Sequence, residues 1–370
     1  MKTRGLYIHI PFCARKCAYC DFYSLAGRLD LIDTYLDALS IESQTYAGLS
    51  FDTIYLGGGT PSLLRAGGLK KLFGNLQRVF DISNLSEATI EVNPESGTAE
   101  LFETATALNI KRISIGVQSL EDNELASVGR IHNALQSTET IRVARQSGFR
   151  EISADVIVGF PGQGWRTLRI TLETLIALEL DHISLYCLSL GNDTPLAANP
   201  PDNLPSDDMQ AELFNLANAL LEEHGFEHYE ISNFALPGHQ CQHNLKYWRG
   251  DEYLGLGPSA ASYLNGLRFK NRDDLDSYLK NPTCLIEDIE ELTTEEKVAE
   301  EAMLKLRLLR EGFSTDGLAG RFGSDDTRNL VKRLDDMVEE GLLINDGSSY
   351  RLPPSQVLTS NPIFARALGY

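Results

Sequence analysis

The sequence of 370 residues contains no apolar run near the roughly eighteen residues that a membrane-spanning helix needs. Its first residues also lack the apolar region and the small-residue cleavage site of a signal peptide. Basic residues are few, with 33 Lys and Arg against 52 Asp and Glu, and the formal net charge is -19. Such a charge opposes binding to phosphate backbones. We therefore expect a cytoplasmic protein with no membrane span and no nucleic-acid partner.

Cysteine is also scarce, and the chain has 6, at positions 13, 17, 20, 187, 241 and 284. A disulfide framework belongs to small, secreted, cysteine-dense chains, and this sequence is none of these. Cys13, Cys17 and Cys20 fall on one short segment, which indicates metal binding. The hydrophobic content of 42% and the charged content of 23% are ordinary for a globular protein with one large and one smaller domain.

Short apolar runs alternate with longer amphipathic stretches through the first half of the chain. The predicted strands are Leu6–Ile10, Thr53–Leu56, Thr89–Val92, Arg112–Val117, Ile152–Val158 and His182–Leu188. The helical patterns between them include Leu31–Tyr46, Ala99–Leu108, Leu135–Gln146 and Trp165–Leu178. Repeated β/α units form parallel sheets with right-handed crossovers. We therefore predict an α/β fold, a partial (β/α)6 barrel resembling a TIM barrel, with helices on its outer face.

A second, smaller domain is predicted after the barrel, with residues 1–240 in the first domain and 241–370 in the second. Helical periodicity over Leu292–Leu343, followed by a hairpin around Asn345-Asp346-Gly347, indicates a mainly helical, winged-helix-like domain. An excess of acidic residues makes this domain unsuited to DNA binding, because residues 287–340 hold sixteen acidic and eight basic residues. We interpret it as a packing or partner domain.

The unusual residues fall at the carboxyl ends of the predicted strands, where β/α barrels carry their chemistry. Cys13 follows the first strand, and the glycines at 57–59 follow the second. Glu91 closes the third strand, Gln118 follows the fourth, and Asp155 lies within the fifth. We therefore predict one functional site on one rim of the barrel.

The spacing Cys13-x3-Cys17-x2-Cys20 places three thiolates on one loop. Thiolates are soft ligands that suit iron–sulfur clusters or zinc. Three are too few for a closed zinc site, or for a cubane cluster held by the protein alone, so something must supply a fourth ligand. His9 could complete a Cys3His zinc site. The spacing alone leaves zinc and an iron–sulfur cluster equally open.

The segment from Tyr7 to Cys20, which reads YIHIPFC before x3-Cys-x-Tyr-Cys, resembles the signature of radical S-adenosylmethionine enzymes. More narrowly, it resembles the branch that contains oxygen-independent coproporphyrinogen III dehydrogenase and the HemW-type haem chaperones. The resemblance implies that the three cysteines hold a [4Fe–4S] cluster rather than zinc. It also implies that the open iron binds the amino and carboxylate groups of S-adenosylmethionine, and that the second domain is HemN-like.

The resemblance further implies a pocket for S-adenosylmethionine. The glycine triplet at 57–59, which alone is more often only a turn, is part of the family's GGGTP motif and clamps the methionine moiety. Glu91, which alone could face solvent, and Asp155 are expected acceptors, and Arg130 is an expected carboxylate partner. The residues that the resemblance places at this pocket are Tyr7, Tyr19, Gly58, Gly59, Thr60, Glu91, Gln118, Arg130 and Asp155.

Two departures separate the sequence from the dehydrogenase. Phe22 stands where the dehydrogenase has a further cysteine, and Cys13 follows a shorter leading segment. By contrast, His243-Asn244-Leu245-Lys246-Tyr247-Trp248 resembles the haem-binding HNxxYW motif of HemW-type proteins. From composition alone these residues would be core packing, but the motif implies that His243 ligates haem, with Cys241 as a conceivable second ligand.

The sequence is thus interpreted as a haem chaperone that binds haem and passes it to acceptor proteins, among them respiratory haem enzymes. A [4Fe–4S] cluster, exchangeable S-adenosylmethionine and haem are its expected cofactors, and a homodimer is an expected assembly. The alternatives are a radical enzyme acting on coproporphyrinogen III or another tetrapyrrole, and a structural zinc protein.

Overall fold

The computed structural model describes residues 4–191, 193–347 and 349–369. Each strand predicted up to residue 188 overlaps an observed strand. A short parallel pair, β2 and β3, lies in the cysteine loop. The strands of this half are β1 Gly5–Ile10, β2 Phe12–Cys13, β3 Leu25–Ala26, β4 Thr53–Gly58, β5 Glu87–Val92, β6 Arg112–Gln118, β7 Glu151–Val158 and β8 His182–Cys187.

Helices follow the strands as the β/α pattern predicts. The α-helices are α1 Ile32–Gln44, α2 Arg65–Val79, α3 Ala99–Ala107, α4 Asp122–Ser127, α5 Ala134–Gln146, α6 Trp165–Ala177, α7 Pro195–Ala198, α8 Asp207–Glu223, α9 Gln242–Arg249, α10 Leu275–Lys280, α11 Thr294–Lys305, α12 Thr315–Phe322, α13 Ser324–Glu339 and α14 Ser360–Leu368. No helix in the described ranges is long and apolar enough to cross a membrane.

The remaining strands extend the sheet on both edges of the six-stranded barrel, except for the last two, which form a separate two-stranded sheet. They are β9 Glu227–Glu230, β10 Asn233–Ala235, β11 Tyr253–Leu256, β12 Ala261–Leu264, β13 Leu267–Asn271, β14 Ile286–Glu290, β15 Ile344–Asn345 and β16 Tyr350–Arg351. Strand β11 pairs parallel to β1, and β12, β13 and β14 continue antiparallel from it. The sheet has twelve strands in the order β14-β13-β12-β11-β1-β4-β5-β6-β7-β8-β10-β9.

This architecture confirms the predicted α/β class, with parallel strands β1 and β4–β8 forming a partial barrel. Helices α11–α14 and the antiparallel hairpin of β15 and β16 form the mainly helical C-terminal part. The sheet is continuous across residue 240, since β11–β14 belong to it. The division of the chain at that residue stays a prediction.

Each barrel strand alternates between an apolar outer face and a polar inner face, as the two-residue period of a strand allows. In β6, Ile113 and Ile115 are fully buried and belong to the core shared with the helices. Between them, Ser114 faces inward and donates a hydrogen bond to Asp155 of β7 (3.0 Å). The interior of the barrel is therefore polar, and the apolar core lies between sheet and helices.

Candidate functional site

The three cysteines of the loop lie together at the carboxyl ends of the barrel strands. Cys13 ends β2 directly after β1, and all six cysteines of the chain are free thiols. A cavity of about 330 Å³, which we call the rim cavity, opens between the loop and the strand ends. Of the residues predicted from the sequence, it is lined by Cys13, Cys17, Tyr19, Cys20, Gly58, Gly59, Thr60, Glu91, Gln118, Arg130 and Asp155.

Hydrogen-bond donors approach two of the cysteine sulfurs. The hydroxyl of Thr60 donates to Cys13 Sγ (3.5 Å), and Nη1 of Arg130 donates to Cys17 Sγ (3.5 Å). Such donors can also hydrogen-bond to cysteine sulfurs that hold an iron–sulfur cluster. Burial raises the pKa of Cys20, so its thiol resists ionisation when no metal is bound. Three free thiols on one cavity wall fit a cluster that keeps one iron for another ligand.

No three His, Cys, Asp or Glu side chains within the described residues converge closely enough to hold a single metal ion. His9, the residue that could complete a zinc site, has other partners for its ring nitrogens. Its Nε2 is hydrogen-bonded to the carbonyl oxygen of Tyr23 (2.8 Å), and its Nδ1 to the hydroxyl of Tyr7 (3.1 Å). Both ring nitrogens of His9 are therefore engaged within the protein.

The glycine-rich turn lets β4 approach the cysteine strand closely. Gly58 has φ +109°, and a Cβ there would lie 2.7 Å from Cε1 of His9. A Cβ on Gly59 would lie 2.6 Å from the carbonyl oxygen of Phe12. Only glycine fits at either position, because a Cβ atom essentially never lies so close to another heavy atom. At Gly58 the positive φ also disfavours every other residue. The turn thus holds the loop against the strand ends.

Two carboxyl groups, those of Glu91 and Asp155, line the rim cavity from the interior of the barrel. Glu91 accepts hydrogen bonds from the hydroxyl of Tyr55 (2.9 Å) and the backbone N–H of Gly58 (3.2 Å). Burial, together with the charge of Asp155, raises the pKa of Glu91 to about 8. Burial also raises the pKa of Asp155. At neutral pH the Glu91 carboxyl therefore holds a proton that an incoming cation can displace.

Gln118 and Arg130 reach the cavity through irregular backbone and a buried hydrogen-bond network. The pairing of β6 with β7 shifts register before Gln118, and the φ of this residue is +65°. The Gln118 side chain therefore does not follow the regular alternation of side chains between the two faces of the strand. Arg130 donates from Nη2 to the carbonyl oxygen of Gly116 (2.7 Å) and to Oδ1 of Asn93 (2.9 Å). These bonds fix the guanidinium beside Cys17.

Tyr7 does not line the rim cavity. It lines a neighbouring cleft of about 400 Å³, which we call the aromatic cleft. The cleft lies between strands β1 and β11–β13, helices α9 and α11, and the cysteine loop. Its walls are Tyr7, His9, Phe22, Tyr23, Tyr247, Trp248, Tyr253, Ser259, Ala261, Arg268 and Leu304.

His243 lies at the opposite end of the barrel from the cysteines. Its Nδ1 is hydrogen-bonded to the hydroxyl of Thr53, the first residue of β4 (2.9 Å), and its Nε2 to the hydroxyl of Tyr247 (2.8 Å). The side chain is 1% exposed, and burial lowers its pKa to about 3. The imidazole is therefore neutral, and neither nitrogen is free for an iron in this arrangement. A six-residue strand rises roughly 17 Å, which separates His243 from the rim.

The structure adds residues that the sequence prediction omitted. Asn93 lines the rim cavity and joins Thr60 to Arg130, since its amide donates to the Thr60 hydroxyl (3.0 Å). Tyr55 orients Glu91 from the barrel interior. Asn93 is adjacent to the strand that contains Glu91, so an asparagine before proline at a strand end could have indicated it. Tyr55 gives no such signal, because its partner is distant in sequence.

The chain is similar to known protein families and to several known proteins over most of its length. The model of the radical SAM superfamily matches residues 7–175, and that of the HemN C-terminal domain matches residues 292–358. The protein named heme chaperone HemW from Bacillus subtilis (strain 168) is 35% identical over 377 residues, covering 99% of both chains. The protein of the same name from Lactococcus lactis is 32% identical, covering 99% of this chain and 98% of its own length.

Among solved structures, coproporphyrinogen III oxidase (HemN) from Escherichia coli, described as a radical SAM enzyme, covers 100% of this chain. The match extends over 91% of that chain, with a TM-score of 0.87 and 22% sequence identity, and it shows the shared fold. Because relatives above 30% identity span nearly its whole length, this chain belongs to the radical SAM superfamily and, within it, to the HemW family.

Proposed function

We propose that this protein is a haem chaperone, which binds haem and transfers it to acceptor proteins such as respiratory haem enzymes. It carries a [4Fe–4S] cluster on Cys13, Cys17 and Cys20 and an exchangeable S-adenosylmethionine in the rim cavity. The observation that supports this most is the convergence of three free thiols with polar side chains in one cavity. The name of the full-length relatives supports haem as the cargo.

Each part of the rim cavity has a task in holding the ligand. The cluster, when bound, supplies an open iron for the amino and carboxylate groups of S-adenosylmethionine and electrons for reductive chemistry. Arg130 presents its guanidinium beside Cys17, where it can pair with a carboxylate. Glu91 and Asp155 accept hydrogen bonds from cationic or hydroxyl groups deeper in the barrel. Gly58 and Gly59 keep the floor of the cavity free of side chains.

The cluster proposal is tested by anaerobic reconstitution with iron and sulfide. We expect the wild type to show the absorbance and electron paramagnetic resonance of a four-iron cluster, and Cys17→Ala to lose both. The matched control is Cys284→Ala, because Cys284 is free, exposed and outside the rim cavity. Zinc at one ion per chain with no iron would instead support the structural zinc protein.

The chaperone proposal is tested by haem titration followed by transfer. We expect wild-type protein to bind haem and to pass it to the haem-free form of a b-type respiratory cytochrome. Free haem at the same concentration is the control for the rate of transfer. A protein that binds no haem, or that never releases it to an acceptor, is not a haem chaperone.

A radical enzyme acting on a tetrapyrrole is the second candidate, because the fold matches coproporphyrinogen III oxidase over the whole chain. Phe22 argues against it, since the dehydrogenase has a cysteine there. An anaerobic assay with reductant, S-adenosylmethionine and coproporphyrinogen III distinguishes the two. Protoporphyrinogen formed over many turnovers would replace the chaperone proposal.

A cytoplasmic location and a homodimer complete the proposal. Cell fractionation tests the location. Light scattering of the haem-free and haem-bound protein tests the assembly.

A further inference from the structure

We propose that strand β14 is a docking edge for the acceptor protein, which adds to the sheet an extended segment of alternating apolar and basic residues. This inference rests on the proposed function and names the surface where the acceptor binds. β14 is the last strand of the twelve-stranded sheet, and within the described ranges it pairs only with β13. The outer side of an edge strand presents backbone N–H and C=O groups with which a further strand can pair.

The two edges of the sheet differ in how far the protein covers them. At the β9 edge, Glu230 forms a β-bridge with Leu308, and the backbone N–H of Leu309 donates to the carbonyl oxygen of Tyr229 (3.0 Å). The C-terminal part of the chain therefore covers that edge. In β14, by contrast, four of the five residues are exposed. The open edge of the sheet is thus β14.

A bulge in β14 places its two outer carboxylates on one face of the sheet. Glu287 lies opposite Lys270 of β13, and Glu290 lies opposite Arg268. Lys270 and Arg268 are two residues apart and share a face, and residues directly opposite each other lie on the same face. Glu287 and Glu290 therefore share that face although they are three residues apart. The extra residue lies between them, where Asp288 has φ +54°.

The same bulge places two isoleucines on the other face. Ile286 lies opposite Asn271, the neighbour of Lys270, and Ile289 directly precedes Glu290. Side chains alternate along a strand, so both isoleucines lie on the face opposite the carboxylates. Ile286 is 43% exposed and Ile289 is 65% exposed. The edge strand therefore has one apolar and one acidic face, and both are accessible to a partner.

The charge around β14 favours a basic occupant over a second copy of this chain. Residues 286–296 contain six acidic residues and no basic residue. A second β14 strand would set these carboxylates against each other, and like charges directly opposite destabilise a sheet. A strand with lysine or arginine at alternate positions would instead meet opposite charge. Glu287 already forms an ion pair with Arg272, so Glu290 is the main charge that the partner meets on the acidic face.

The first test uses the full-length protein and two labelled synthetic peptides, one of alternating lysine and valine and one of alternating glutamate and valine. We expect only the lysine peptide to bind, measured by fluorescence anisotropy, and to slow the amide hydrogen exchange of residues 286–290. Ile289→Lys should weaken that binding at least about tenfold, because it replaces an apolar contact by a like charge.

The matched control for this variant is Leu135→Lys. It makes the same change of charge at another exposed apolar residue, which is on α5 and 71% exposed, and it should bind the lysine peptide as the wild type does. Melting temperatures verify that both variants fold. Equal binding by the wild type and Ile289→Lys would overturn the docking edge, as would protection from exchange outside residues 286–290 alone.

The second test follows haem transfer to the haem-free b-type respiratory cytochrome. Ile289→Lys should hold haem as tightly as the wild type and transfer it at least about tenfold more slowly, whereas Leu135→Lys should transfer it at the wild-type rate. An excess of the lysine peptide should slow transfer by the wild type, and the glutamate peptide should not.

The outcomes separate the docking edge from the proposed function. Equal rates of transfer in the wild type and Ile289→Lys would overturn docking on β14 and leave the chaperone proposal standing. A wild type that binds no haem would overturn the chaperone proposal and, with it, the assignment of the edge to a haem acceptor.

Discussion

Glu91 is the residue whose protonation responds most directly to a ligand in the rim cavity. Its pKa of about 8 leaves the carboxyl mostly protonated at neutral pH. A bound sulfonium and ammonium favour the carboxylate, because an opposite charge lowers its pKa. We expect binding of S-adenosylmethionine at pH 7 to release close to one proton, measured by calorimetry in buffers of different ionisation enthalpy.

Two variants identify the source of that proton. Glu91→Gln should bind S-adenosylmethionine about tenfold more weakly and release no proton. Glu42→Gln is the matched control, because burial raises the pKa of Glu42 to about 7 although it lies outside the rim cavity. Proton release that persists in Glu91→Gln would assign the ionisation to another group, with Asp155 the next to test.

At the same scale, the positions of most site residues could be predicted from the sequence, because they lie in short contiguous motifs at strand ends. Tyr7 and His243 could not be placed in this way. Tyr7 points from its strand into the neighbouring cleft, and the depth of His243 depends on Thr53, which is far away in sequence. A motif gives the residue types, and the packing of distant elements decides what they face.

Helix α9 lies at the end of the barrel opposite the rim, and the carboxylate of Glu87 caps its N-terminus. Glu87 accepts hydrogen bonds from the backbone N–H groups of Gln242 (2.9 Å) and His243 (2.8 Å). It also forms a buried ion pair with Arg112 (3.2 Å). This carboxylate caps the helix as an N-terminal anion does, and it neutralises a buried guanidinium.

Removing that charge should therefore destabilise the protein strongly. We expect Glu87→Gln to lower the free energy of unfolding by about 3 kcal/mol, because Arg112 loses its closest charged partner. Glu139→Gln removes one partner of the exposed pair with Arg142 and should change stability by less than about 1 kcal/mol. Urea denaturation measures both, and equal effects would contradict the capping role of Glu87.

Among the elements, the barrel strands were predictable and the later strands were not. In a sequence, buried parallel strands appear as apolar runs between helical patterns, which makes them easy to predict. Strands β11–β14 are short, and they join the barrel only through β11, which pairs with β1 across more than 240 residues of sequence. Strands β9 and β10 form a hairpin at the opposite edge of the sheet. Its turn, Ile231-Ser232, contains no glycine or proline to indicate it.

For the whole molecule, buried carboxyl groups set the response of stability to pH. Burial raises the pKa of Glu42 to about 7, of Glu230 to about 7 and of Glu91 to about 8. A raised pKa means that the folded protein binds more protons than the unfolded chain, so its contribution to stability is lost as pH rises through the folded value. We expect the urea midpoint to fall between about pH 7 and pH 8.5, because at lower pH the buried histidines with a lowered pKa, His243 among them, have the opposite effect.

The slope of that fall should decrease when one of these groups no longer titrates. Glu42 accepts hydrogen bonds from the Gly257 N–H (2.8 Å), Asn271 Nδ2 (2.7 Å) and the Tyr278 hydroxyl (2.7 Å), which join α1 to the outer strands and α10. Glu42→Gln keeps the shape of the side chain and removes the ionisation. The exposed variant Glu139→Gln should keep the wild-type slope, and a midpoint independent of pH would contradict the raised pKa values.

The placement of Phe22 on the walls of both cavities has an optical consequence. Because this side chain is exposed and borders each cavity, an indole in its place would report on what fills either one. Iron–sulfur centres absorb light across the near ultraviolet and visible range. Reconstitution of the four-iron centre should therefore quench the added emission of Phe22→Trp more strongly than that of Leu267→Trp, which lies outside the linings of both cavities.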